Sequence, residues 1–132
     1  MNNLDYLLKE IQFTTISPEL FDCIADKTAD FIAESGNGNK NNPTQLRRFY
    51  DEIVMWHDKL KNNSDKYSEY IPFIKMLNAK VAYSCGRKHV DDNYKKLMFH
   101  CLRQLDNEDV KTFFNFKLFM EAFMGFYKSY KR

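Results

Sequence analysis

The chain has 132 residues, of which 44% are hydrophobic and 16% aromatic, so one domain with a sizeable core is expected rather than a disordered chain. Glycine and proline are scarce, at 4 and 3 residues, which argues against the many tight turns of a β-sandwich or barrel and favours an all-helical fold. The formal net charge is only +2, but the first 35 residues carry seven acidic and two basic side chains, so the remainder is a basic body suited to a polyanion or to the acidic face of another copy.

The three cysteines, Cys23, Cys85 and Cys101, are isolated in the sequence and form no CxxC pair. Neither a zinc site nor a disulfide framework is therefore expected. The N-terminus lacks the pattern of a signal peptide, and no apolar run reaches the ~18 residues of a membrane span. These features predict a cytoplasmic protein with free thiols, no bound metal, no cofactor and no contact with a membrane.

The first 16 residues form a separate N-terminal segment, which could be a short helix with Leu4, Leu7, Leu8 and Ile11 on one face or could be flexible. Residues 17–132 are predicted to form a single-domain bundle of about five helices. The first of them should begin at Ser17-Pro18, where a hydroxyl cap precedes a proline. It should run to about Glu34, before the loop 35–42.

The second helix is predicted to begin at Asn42, which could cap it, with Pro43 at its first position. Gln45 could reach back to complete a capping box. The core stripe of this helix keeps spacings of three and four and consists of Leu46, Phe49, Ile53, Trp56 and Leu60.

A third helix is expected from about Ser68 to Cys85, with Pro72 in its first turn and Gly86 as its stop. The fourth should cover residues 90–105. Its first turn contains Asp91 and Asp92, where the helix dipole favours acidic side chains.

The fifth helix, over about residues 108–130, carries the strongest periodicity in the chain. Its core stripe consists of Phe113, Phe116, Met120, Phe123, Tyr127 and Tyr130. Phe119 and Phe126 add apolar surface outside this stripe, so the helix is apolar nearly all round. Such a helix is either central to its bundle or packed against a second chain. Phe119 and Phe126 are therefore candidate residues of a protein interface.

No catalytic pattern is evident in the sequence. The three histidines lie in no metal-ligand spacing, and phosphate-binding loops and nucleophile motifs are missing. A hydrolase built on His89 with Asp91 or Asp92 is the remaining enzymatic alternative, but adjacent helical residues do not face each other. The sequence predicts a protein that is not an enzyme.

Basic residues form the more promising pattern. The stretch from Lys75 to Lys88 carries four basic residues and no acid. Lys80 and Arg87 are seven residues apart and so share a helix face, with Tyr83 between them as a possible stacking partner or a core residue. Arg47 and Arg48 lie at the start of the second helix. Lys128, Lys131 and Arg132 add charge at the C-terminal end. A basic row suits a phosphate backbone, although a solvated face is the ordinary alternative.

Three stretches in this order resemble the small subunit of type III-A CRISPR (Csm) effector complexes. They are Asn42–Tyr50 (NPTQLRRFY), Ile74–Lys88 (IKMLNAKVAYSCGRK) and Phe116–Lys128 (FKLFMEAFMGFYK). The chain departs from the family pattern at Ser84-Cys85 and at residues 124–126. Residues 1–16 carry no resemblance.

The resemblance implies a non-catalytic helical subunit that serves antiviral defence as part of a ribonucleoprotein. Several copies would stack on one another along the complex, beside the backbone subunits and with the large subunit. Together they would help form the groove in which target RNA pairs with guide RNA. By matching motif, the resemblance assigns phosphate contacts to Arg47, Arg48, Lys80 and Arg87. Lys88 and Lys128 are added to them. The alternative is a helical interaction module that oligomerises without contacting RNA.

Overall fold

The computed structural model describes residues 3–131, and all regular structure in that range is helical. Met76 alone separates α4 from α5, so these two form one interrupted helix and the described residues contain six helical segments. This is one more than the predicted five, and the additional segment is the N-terminal α1. The helices are α1 (Asn3–Glu10), α2 (Ala25–Ser35), α3 (Pro43–Leu60), α4 (Tyr67–Lys75), α5 (Leu77–Gly86), α6 (Asp92–Arg103) and α7 (Val110–Tyr130).

The N-terminal segment packs into the same core as the other helices. Leu4, Leu8, Ile11 and Phe13 are all buried. The side chain of Gln104, just after α6, accepts a hydrogen bond from the Phe13 amide at 2.9 Å and donates one to the Ile11 carbonyl at 2.7 Å. A glutamine that pairs with a backbone donor and acceptor in this way holds an extended segment as a β-strand neighbour would.

The predicted helix start at Ser17-Pro18 is wrong. The Ser17 hydroxyl is buried and has no hydrogen-bond partner among the described residues. The chain instead makes a turn followed by a wide π-helical turn (Leu20–Ile24), kinked at Asp22, and regular α2 begins only at Ala25. This wide turn allows Leu20 and Ile24 to be buried together. Burial of these two side chains thus outweighs the local capping signal.

At the start of α3 the predicted cap by Asn42 is confirmed, but the predicted capping box with Gln45 is wrong. The Gln45 amide donates to the Asn42 side chain at 2.9 Å, and Pro43 is the first helical residue. The Gln45 side chain does not reach back to the cap. It donates to the Ser84 hydroxyl on α5 at 3.2 Å, because α5 packs close enough to offer a tertiary partner.

The third predicted helix is interrupted. Pro72 lies in the middle of α4 rather than in its first turn, and it has no amide hydrogen for the α-helical ladder. Four residues later the Met76 amide bonds to the Phe73 carbonyl, three residues back, and α5 starts anew. The end of α5 at Gly86 agrees with the prediction. The left-handed turn residue that follows is Lys88, with φ of 65°.

Helix α7 is central to the fold and packs against both α2 and α3. Its predicted core stripe is buried except for Tyr130, which is exposed and donates a hydrogen bond to Asp26 on α2. The interface assignment of Phe119 is wrong, because Phe119 is fully buried and its ring lies 5.9 Å from that of Phe13. The chain's own N-terminal segment covers the face of α7 that was expected to meet a second chain. Phe126 is half-buried against the core.

Candidate nucleic-acid interface

A groove of about 950 Å³ lies between the beginning of α3 and the end of α7. Helix α3 contributes Arg47 and Arg48, and α7 contributes Lys128. Three of the six basic residues expected to contact phosphates therefore line one concave surface, although Lys128 is some 80 residues from the two arginines in the chain. Lys131, just after α7, lines it as well. We call this surface the cationic groove.

The four cations of the cationic groove differ in how they are held. Arg47 pairs with Asp51 one turn along α3, with Nε 3.0 Å from the carboxylate, and both side chains are largely exposed. Lys131 is fixed by donation to the Lys40 carbonyl at 2.6 Å. Arg48 and Lys128 are exposed, and within residues 3–131 neither has an ion-pair partner. These two side chains are the ones most available to an anion.

The walls of the cationic groove are joined through Asn41, which is fully buried in a left-handed conformation with φ of 59°. Its amide donates to the His89 carbonyl at 2.9 Å, and its side chain accepts from the Asp91 amide at 2.9 Å. Its own carbonyl accepts a hydrogen bond from the Tyr127 hydroxyl on α7. Burial, followed by the nearby Asp91 charge, raises the pKa of Tyr127, so this hydroxyl stays protonated as a donor.

Sequence reasoning missed Asn41. The loop 36–42 contains four asparagines, and any of them tolerates a left-handed turn. Only the tertiary contacts with α2, α6 and α7 distinguish this one from its neighbours.

Lys80 lies outside the cationic groove and is paired with an acid. Its ammonium is 2.8 Å from the carboxylate of Glu52 on α3. The stretch around Lys80 lacks acidic residues in the sequence, but packing of α5 near α3 brings one to it. Lys80 is therefore neutralised by an acid that is distant in the sequence.

Arg87 and Lys88 lie together at the turn between α5 and α6, away from the lining of the cationic groove. Arg87 donates to the Tyr83 hydroxyl at 3.1 Å, and its guanidinium is 5.8 Å from the centre of that ring. Tyr83 is 67% exposed, so it is a surface residue and not a core residue. Lys88 is exposed and makes no ion pair with any described residue. Arg132 lies outside the described residues.

The two aspartates weighed for a hydrolase with His89 make structural hydrogen bonds through their side chains, whereas His89 bonds through its backbone. Asp91 caps α6 by accepting from the Tyr94 amide at 2.9 Å and also accepts from the Ser35 hydroxyl at 2.6 Å. Asp92 accepts from the Cys85 thiol at 3.2 Å. Burial alone would raise the pKa of Asp91, but the hydrogen bonds around it outweigh burial and lower it. No group of three or more metal-ligating side chains occurs in residues 3–131.

Comparison with protein families decides the identity. Residues 18–132 match the family described as Csm2 Type III-A, which is most of the chain. The chain belongs to the Csm2 Type III-A family. As a Csm2 protein it is a small subunit of the CRISPR type III-A Csm complex, and Csm2 subunits are structural components of that effector. No curated protein and no solved structure shows significant similarity to the chain.

The matched region contains both walls of the cationic groove and the turn that carries Arg87 and Lys88. It leaves out α1 and Phe13, in agreement with the lack of resemblance in the first 16 residues. No helix within the described part of this Csm2 chain is long and apolar enough to cross a membrane.

Proposed function

We propose that this Csm2 chain is a non-catalytic subunit that binds the backbone of the guide–target RNA through the cationic groove. The observation that carries the proposal is the meeting of Arg47, Arg48, Lys128 and Lys131 in one groove. Phosphate binding requires several cations at a shared concave surface, since field lines concentrate there. Sequence specificity would come from base pairing between guide and target, because a groove of this kind reads the backbone alone.

Arg87 and Lys88 are proposed as a secondary contact at the α5–α6 turn. Lys80 is proposed to bind a phosphate only after its ion pair with Glu52 has broken. Its expected contribution to the affinity for RNA is therefore smaller. Because each copy neutralises few phosphates, the isolated protein should bind single-stranded RNA in the range of roughly 10⁻⁴–10⁻⁶ M and weaken steeply with salt.

Stacking between copies is the second part of the proposal. Glu19, Asp22 and Glu34 are exposed acids along the π-helical turn and α2. In a head-to-tail arrangement these acidic residues of one copy would meet basic residues of the next. The other partners would be the backbone and large Csm subunits, in a cytoplasmic complex of antiviral defence.

The test is charge reversal in the cationic groove. The double variant Arg48→Glu with Lys128→Glu should weaken binding of a fluorescein-labelled single-stranded RNA about tenfold and lower the salt slope of log K by about 2, because two phosphate contacts are lost. Fluorescence anisotropy at two or more salt concentrations measures both quantities.

The matched control is Lys59→Glu with Lys111→Glu. These exposed lysines lie at the opposite ends of the same two helices, and the change in net charge is identical. The control should lose much less affinity. Equal losses in the two double variants would show that net charge, and not the cationic groove, governs binding.

The alternative function is a helical interaction module that never touches RNA. It is favoured by the ion pairs that already engage Arg47 and Lys80. The same groove variant discriminates the two functions in a reconstituted Csm complex. Full retention of target RNA by a complex assembled with it would support the module and reject RNA binding by the cationic groove.

A further inference from the structure

A second groove, of about 690 Å³, adjoins the cationic groove along α3. Asp51 lines both grooves. Arg48 and Met55 are seven residues apart on α3, roughly 10 Å along the helix axis, so one short oligonucleotide could reach both. The second groove lies between α3 and the α4–α5 interruption at Met76.

The floor of this second groove is aromatic and apolar. The rings of Trp56 and Phe73 lie nearly parallel, with an interplanar angle of 11° and centroids 6.4 Å apart. Trp56 is supported from within by Tyr70, at 5.3 Å between ring centroids. Phe73 is 54% exposed and Met76 53% exposed, so the outer face of the floor is open to solvent. The indole N–H of Trp56 is buried and has no hydrogen-bond partner among the described residues, so only the ring face of Trp56 is offered to a base.

The electrostatics of the two grooves differ. Each acid that lines the second groove is already paired, Asp51 with Arg47 and Glu52 with Lys80. The second groove is thus electrically balanced, whereas its neighbour carries an excess of positive charge. A single RNA strand complements both grooves, since its anionic phosphates suit the cationic groove and its neutral, flat and polarisable base faces suit the second groove.

We infer that Trp56 and Phe73, with Met55 and Met76 beside them, form a stacking platform for unpaired bases of an RNA strand whose phosphates lie in the cationic groove. This inference rests on the proposed function and deepens it, because it adds base contacts to a surface otherwise assigned to phosphates. Stacking of this kind is independent of sequence, since every base has a π face.

The size of the surface favours a base over a folded protein partner. A stable protein interface takes about 20–30 residues from each side. The exposed large apolar side chains that line this groove are Met55, Phe73 and Met76, which is a far smaller surface than such an interface needs but is enough for a base to stack on.

Trp56 is the only tryptophan of the chain and reports directly on its own surroundings. The full-length protein should be titrated with an oligoadenylate of about ten nucleotides and with an abasic ribose-phosphate strand of the same length and charge. The oligoadenylate should quench Trp56 emission. The abasic strand should bind through the cationic groove, followed by anisotropy, without quenching.

Phe73→Ala should weaken oligoadenylate binding about fivefold or more and leave abasic-strand binding unchanged, because only the stacking contribution is lost. Tyr6→Ala is the matched control, since Tyr6 is an exposed aromatic residue on α1, outside both grooves. This control should leave the affinities for both strands unchanged.

Three outcomes would overturn the inference, and they are distinguishable. Salt-dependent binding of both strands without quenching would reject the platform and leave the proposed function intact. Absence of salt-dependent binding by either strand would reject both. Trp56 emission that changes with protein concentration alone, together with a smaller hydrodynamic size of Phe73→Ala, would identify the second groove as a contact between copies.

Discussion

Two residues of the loop 36–42 fix the cationic groove from inside the fold. Asn41 makes hydrogen bonds to Ile32 on α2, to Asp91 at the start of α6 and to Tyr127 on α7. These bonds align the start of α3 with the end of α7. Gly36 makes the other close approach, next to Lys131. A groove that binds phosphates through few contacts depends on such alignment, because each cation must face the same strand.

Gly36→Ala should destabilise the protein by about 1–3 kcal/mol, as overpacked positions do. A Cβ at this position would lie 2.7 Å from the Lys40 carbonyl oxygen and 2.8 Å from the Lys131 ammonium, so the loop or the lysine must shift. Urea denaturation followed by circular dichroism measures the change.

Gly125→Ala is the control for that measurement. A Cβ at this position in α7 meets nothing within 4 Å, so the substitution should stabilise the helix by about 1 kcal/mol. Destabilisation of both variants by the same amount would remove the steric explanation for Gly36.

At the scale of elements, the N-terminal segment and α7 depend on each other. Phe13 packs against Phe116 and Phe119, with ring centroids 5.8 and 5.9 Å away. The side chain of Asn115 also donates to the Phe13 carbonyl at 2.8 Å. A segment with no helix of its own at residues 11–13 is thus held by aromatic packing and by polar side chains from two helices.

Phe13→Ala should lower the free energy of unfolding by about 3–5 kcal/mol, because a fully buried ring is replaced by a cavity. Chemical denaturation monitored by circular dichroism measures this loss. Tyr6→Ala, an exposed aromatic position on α1, should change stability by less than about 0.5 kcal/mol. A small effect of Phe13→Ala would mean that the segment is not part of the cooperative core.

The helices with local signals were predictable from the sequence. Asn42 caps α3 as predicted, and the phenylalanines of α7 recur at helical spacing. Asp91 was expected inside the first turn of the fourth helix, but it caps α6, which begins at Asp92. The π-helical turn before α2 was not predictable, since it depends on burial of Leu20 and Ile24 against distant residues.

The basic residue types of the cationic groove were predictable from the sequence, but their meeting in one groove was not. Arg47, Arg48 and Lys128 could be picked out as basic residues in family motifs, whereas their common groove arises only when α3 packs on α7. The pairing of Lys80 with Glu52 joins residues 28 apart in the chain, beyond the reach of any local pattern.

The whole molecule is one core around α7, and Asp91 joins several of its parts. Its carboxylate accepts hydrogen bonds from Ser35 at the end of α2 and from the first turn of α6. Burial by itself would raise the pKa of Asp91, but these hydrogen bonds lower it below its ordinary value of 3.8. The charged form therefore stabilises the fold above this value, and the stabilisation is lost as pH falls through the folded-state pKa.

Asp91→Ala should lower the free energy of unfolding at pH 7 by about 1 kcal/mol, as loss of an N-cap does. The difference from the unsubstituted protein should narrow as pH falls below 3.8, because the carboxyl group is then protonated in the unfolded chain while the folded carboxylate resists protonation. Denaturation curves from pH 3 to pH 7 measure this. Asp92→Ala, which loses only the Cys85 contact, should cost less. A difference that stays constant across this range would contradict a role for the charge.

The aromatic contact between Phe13 and α7 has a practical consequence for fragments of this protein. The region shared with the family starts at residue 18, so a fragment cut to that region would lack the ring that shields Phe119. Water would then reach a cleft lined by phenylalanine, and such fragments should cluster and precipitate. Poor behaviour of a shortened chain would thus reflect a missing internal cover and not a missing partner subunit.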